Sequence, residues 1–102
     1  MKLYIDTRDN QQLILKLITK SKTYKLISQP EKAKADQILL QLEKLLVENN
    51  LKKEDITEIE CEKKAGSFTG VRVGVSIANA LSFALQIPVN NLPVGKQENP
   101  VY

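Results

Sequence analysis

The sequence predicts an α/β domain in which three antiparallel strands are followed by helix, strand, helix and strand. Three observations carry that expectation. Up to Ser28 the apolar residues alternate with a period of two, as on pleated strands. After Pro30 the spacing changes to the three-and-four pattern of an amphipathic helix. Later, a glycine-bounded turn (Gly66 to Gly70) opens directly onto a run of small and apolar residues that Pro88 closes.

Taken in order, Lys2–Asp6 reads as a short strand that stops at the turn formers Thr7, Arg8, Asp9 and Asn10. Gln12–Thr19 is a second strand, with Leu13, Leu15 and Leu17 on one face and Ile14 and Ile18 on the other, so both faces are expected to be covered. The polar turn Lys20-Ser21-Lys22 leads into a third strand, Thr23–Ser28, making an antiparallel meander. A helix over Ala33–Asn49 presents Ala35, Ile38, Leu39, Leu42, Leu45 and Leu46 as one core stripe, and Asn49-Asn50 ends it. Ile56–Glu62 alternates again as a fourth strand, with Cys61 directed at a core. The second helix runs from about Val71 to Gln86, and Val89–Leu92 suggests a fifth strand. Strand–helix–strand steps cross over right-handedly, which sets the later strands parallel beside the first. The domain is expected to occupy residues 1–92, leaving the Pro- and Gly-bearing residues 93–102 as a loose C-terminal tail.

With 102 residues, 42% of them apolar and 26% charged, the chain can bury one modest core and is unlike a disordered segment. No apolar run approaches the roughly 20 residues of a membrane span. Asp6 interrupts the apolar N-terminus where a signal peptide would continue, so a cytoplasmic location is expected. The net charge of +3 is mild. Lys16, Lys20, Lys22 and Lys25 around the hairpin, and Lys52, Lys53, Lys63 and Lys64 later, read as solvated lysines rather than a nucleic-acid stripe. Histidine is absent, which removes the commonest general base and metal ligand together.

Three groups of residues invite a functional reading. Ser67, Thr69, Gly70 and Arg72 stand where a helix N-terminus could hold a phosphate, but the Gly-Lys-Ser/Thr of a P-loop and a Gly-x-Gly-x-x-Gly fingerprint are both missing. The packing alternative is that Gly66 and Gly70 allow close approach while Phe68 fills a core, with Gly74, Ala78 and Leu81 against the sheet. Asp6 and Thr7 end the first strand and, with Ser67 and Thr69, would serve a small nucleotide binder or hydrolase; the turn chemistry of Asp6, Thr7, Asp9 and Asn10 explains them equally. Ala33, Leu40 and Val47 recur every seven residues opposite the core stripe, flanked by Asp36, Glu43 and Lys44. On the second helix Arg72, Ser76, Asn79 and Gln86 form a polar sector that contains Phe83. An apolar seam beside an exposed Phe points to a helix-pairing interface made by Ala33, Leu40, Val47, Arg72, Ser76, Asn79 and Phe83.

The segment Gly66-Ser67-Phe68-Thr69-Gly70-Val71-Arg72-Val73-Gly74 resembles the signature of the TsaB (YeaZ) proteins, and weaker likeness runs from Leu3-Tyr4-Ile5-Asp6-Thr7 to Gln86-Ile87-Pro88. The resemblance implies a single ribonuclease-H-like half-domain of the actin and sugar-kinase (ASKHA) type. It implies a non-catalytic subunit, without cofactor or metal, that pairs with a TsaD-type paralogue. That paralogue transfers a threonylcarbamoyl group to the adenosine beside the tRNA anticodon. Pairing in the family resembles a bundle of N-terminal helices, so the same helices could also close on a second copy, and tRNA would be met only through the complex. The family carries a Gly-Pro pair before this motif where this chain has Lys64-Ala65, and a second half-domain with no counterpart here.

Overall fold

The computed structural model describes residues 1–7, 13–28, 35–62 and 68–92, with the side chains of residues 28, 35–37, 68–71 and 73 left undescribed. Four strands, β1 (Lys2–Asp6), β2 (Leu13–Ile18), β3 (Thr23–Ser28) and β4 (Glu58–Glu62), form one sheet in the order β3-β2-β1-β4. β1 pairs antiparallel with β2 through Ile5 and Leu15, and β2 with β3 through Leu15 and Leu26. β1 and β4 are parallel, with Leu3 opposite Ile59 and Ile5 opposite Cys61. That parallel pair is what the right-handed crossover through α1 (Ala35–Glu48) requires. α2 (Phe68–Leu85) follows β4.

The core is a two-layer sandwich of one sheet face and two helices. Leu3, Ile5, Leu15, Leu17 and Ile59 meet Ile38, Leu42, Leu45 and Leu46 of α1 and Val75, Ile77 and Ala78 of α2. Cys61 is buried among them. Gly74 makes the closest approach, because a Cβ there would collide with Thr7 Oγ1 at the end of β1 and would lie 3.4 Å from Cys61 Sγ. Both helices stop in the same way. Asn50 (φ 54°) donates to the Val47 carbonyl and Leu51 N–H to that of Leu46. Gln86 (φ 55°) and the Ile87 N–H to Ser82 bond repeat the pattern. These are Schellman closures, which satisfy last-turn carbonyls through one left-handed residue.

Several sequence expectations change here. β2 is covered on one face only: Leu13, Leu15 and Leu17 are buried, whereas Ile14 and Ile18 stay half-buried, because both helices lie on the same side. Leu39 is 42% exposed rather than part of the core stripe, since it stands about 100° round the helix from Ile38. β4 begins at Glu58, because a short 3-10 helix, Lys53–Asp55, uses the preceding residues and leaves Ile56 as its extended cap. α2 begins at Phe68, so Phe68-Thr69-Gly70 are its first turn and not a loop ahead of it.

The expected fifth strand, Val89–Leu92, contracts to a single parallel bridge between Val89 and Ile59. Asn90 (φ 50°) and Asn91 (φ 63°) turn the backbone out of extended geometry. The Asn90 side chain takes over the pairing, its Oδ1 accepting from the Cys61 N–H at 2.7 Å and its Nδ2 donating to the Cys61 carbonyl at 3.1 Å. The start of α1 proposed at Ala33, the Gly66-Ser67 part of the turn, Lys64-Ala65 and the tail 93–102 all lie outside the described residues.

Candidate functional site

α1 and α2 touch each other and share the core face of the sheet, so each turns an opposite side outward. On α1 that outer side carries Leu40, 56% exposed, and Val47, 75% exposed, with Leu39 at its border and the charged Glu43 and Lys44 between them. Lys44 and Glu48 form a 4.0 Å pair between two well-exposed side chains, which contributes a few tenths of a kcal/mol at most. The sequence placed Leu40 and Val47 opposite the core, and both are exposed; Ala33 is outside the described residues.

On α2, Arg72, Ser76 and Phe83 are exposed and Asn79 is half-buried. Phe83 stands out at 75% exposure, a large apolar side chain on a helix whose other face is Val75, Ala78 and Ser82. Ser76, Asn79, Ala80 and Phe83 line one shallow hollow. Their spacing, i, i+3, i+4 and i+7, is that of the four residues that frame a hole on a helix facing a knob from another helix. Ala80 was missed by the sequence reading; its small size is what makes the hollow, and its position one turn after Ser76 was the available signal.

The nucleotide-type residues are arranged differently. Thr7 is only 2% exposed, with its hydroxyl packed against the bare backbone of Gly74. Asp6 is buried too, and Tyr4 donates its hydroxyl to Asp6 Oδ2 across 3.5 Å. Thr69 and Gly70 are helical, Arg72 is exposed, and Ser67 is outside the described residues. Among the described residues no group of three His, Cys, Asp or Glu could hold a metal ion, and no helix is long and apolar enough to cross a membrane. Chemically, the helix face offers apolar contact area and hydrogen-bonding side chains at its margin, the composition of a docking surface.

Comparison with known proteins gives a consistent neighbourhood. The family model described as TsaD, tRNA N6-adenosine threonylcarbamoyltransferase, matches residues 26–94. The chain is 32% identical over 66 residues to the tRNA threonylcarbamoyladenosine biosynthesis protein TsaB of Buchnera aphidicola subsp. Schizaphis graminum, covering 65% of this chain and 31% of that one. It is 39% identical over 46 residues to the TsaB of Bacillus subtilis, covering 45% of this chain and 20% of that protein. Among solved structures, YeaZ from Pseudomonas aeruginosa superimposes with a TM-score of 0.79 at 25% identity, over 90% of this chain and 43% of that one. The chain therefore spans less than a third of the length of the two TsaB relatives. Its fold, a mixed sheet with helices on one face, is the ribonuclease-H-like, ASKHA-type half-domain of those neighbours.

Proposed function

Because the chain belongs to the TsaD-type family and, within it, to the TsaB (YeaZ) proteins, we propose that it is a non-catalytic partner subunit in tRNA threonylcarbamoyladenosine biosynthesis. Its partner in this reading is a TsaD-type paralogue. The single observation that carries the reading is the outward face of α1 and α2, where Leu40, Val47 and Phe83 are exposed beside the Ser76–Phe83 hollow. A solvated Phe and Val at this exposure gain nothing in the free chain. Covering a Phe or Leu side chain on docking is worth about 1.5–3 kcal/mol each.

Arg72, Ser76 and Asn79 form the polar margin that orients the partner helix, as rims do around an apolar centre. The same face could pair two copies when the paralogue is scarce. tRNA then reaches the assembly through the paralogue, and the work is done in the cytoplasm. Without histidine, the chain has no imidazole to offer as base or ligand, which favours a supporting role over a catalytic one.

The test is a titration of the chain with the TsaD of the same organism, read by calorimetry. We expect association at micromolar concentration, weakened at least about tenfold by Phe83→Ala, the size of a 1.4 kcal/mol loss. An absence of binding at micromolar concentrations sinks the proposal.

A further inference from the structure

The opposite face of the sheet has a pattern of its own. Residues paired across neighbouring strands share a face, so the register assigns Glu60, Tyr4, Lys16 and Lys25 to one row on the side away from the helices. Half-buried Ile14 and Ile18, and Ile27 at 50% exposure, lie on the same side. Among the described residues neither helix packs there, although parallel strands such as β1 and β4 are ordinarily covered on both faces.

Charge is segregated across this face. β4 contributes Glu58, Glu60 and Glu62, and β2 and β3 contribute Lys16 and Lys25 at the other side. Lys2 bridges to Glu60 at 3.1 Å and Glu58 at 3.9 Å, while Lys16 lies over the Tyr4 ring at 5.1 Å. A surface with acids along one edge and lysines along the other is complementary to itself under one particular rotation. A two-fold axis lying between two such sheets and parallel to their strands sets β4 of one copy over β3 of the other. Glu60 then faces Lys25 twice, and the isoleucines between them are covered. An axis perpendicular to the strands would put glutamates on glutamates.

We propose that this open sheet face is a self-association surface, closing on a second copy of the chain with strands aligned along the two-fold axis. Such an interface is isologous, as closed dimers require. Four strands about 4.8 Å apart and roughly five residues long make a footprint near 300 Å2, well below the about 800 Å2 per partner of a standard interface. The dimer is accordingly weak and held in register by charge, and added salt loosens it. This surface is separate from the helix face assigned to the paralogue.

Sedimentation equilibrium of the whole chain, from micromolar to about millimolar concentration, tests it at low and high salt. We expect a monomer–dimer equilibrium that weakens as salt rises. Lys25→Glu should weaken association at least about tenfold, and Lys25→Glu combined with Glu60→Lys should restore it, a rescue that a loss of folding cannot mimic. Leu40→Glu should leave it unchanged. A chain that stays monomeric throughout overturns the proposal. So does a dimer broken by Leu40→Glu and indifferent to Lys25→Glu, which would instead place self-association on the helices.

Discussion

Gly74 shows how much one missing side chain can decide. It sits in the third turn's worth of α2 that crosses the ends of β1 and β4, and the Thr7 hydroxyl fills the space a Cβ would take. In an isolated helix Gly→Ala would be favourable by about 1 kcal/mol. Here the methyl group has nowhere to go, because Thr7 is short, buried and anchored at a strand end. Gly74→Ala should therefore destabilise the domain by about 1–3 kcal/mol, the usual range for overpacking. Chemical denaturation measures it directly, and an unchanged or raised midpoint would show that Thr7 can rotate away. Lys2 illustrates a gentler residue effect: its ammonium is held above the ordinary lysine range, first by the hydrogen bond to Glu60, then by the charges of Glu60 and Glu58, against a small burial effect. The pair ties β1 to β4 but remains solvated enough to contribute little.

At the scale of elements, α1 is a helix with two different apolar sides. Ile38, Leu42, Leu45 and Leu46 are buried against the sheet, and Leu40 and Val47 face outward. The two sides should separate cleanly in mutation. Leu42→Ala removes packed methyl groups from the core and should cost about 2–5 kcal/mol of folding stability. Leu40→Glu changes a solvated position and should stay within about 0.5 kcal/mol. Thermal unfolding of both variants checks the phase of the helix; an equal loss for both would mean that Leu40 is covered. The seven-residue recurrence of Leu40 and Val47 was legible in the sequence because helical period fixes which residues share a side. Leu39 was misplaced for the same reason in reverse, since a residue at the border of a stripe is buried or exposed by what its neighbour helix happens to cover.

For the whole molecule, one sheet face is packed and the other is open, and the strand-end residues that would serve a nucleotide are closed over. Thr7 and Asp6 lie beneath α2 and their own strand partners, with Thr7 all but inaccessible. Magnesium-ATP should accordingly produce no change in melting temperature. A ligand at about a hundred times its dissociation constant would add about 2.7 kcal/mol, an effect that a thermal shift cannot miss. A clear upward shift would revive the small nucleotide-binding alternative and weaken the scaffold reading.

The sequence by itself determined the local periods: strands at Lys2–Asp6 and Thr23–Ser28 and both helices follow from alternation, helical spacing and the asparagines that close α1. It also determined which residues lack histidine chemistry to support them, and which apolar positions fall off the core stripe. What only the tertiary structure decided was which surfaces meet. Whether Ile14 and Ile18 are covered depends on both helices lying on one side of the sheet, and whether Val89–Leu92 pairs as a strand depends on Asn90 substituting its side chain for backbone at Cys61. The hollow at Ala80 likewise exists only because Phe83 and Ser76 rise around a small residue on the uncovered side of α2. Periodicity is a property of the chain's own geometry and is written locally. Coverage is a relation between elements distant in sequence, and no local pattern fixes it.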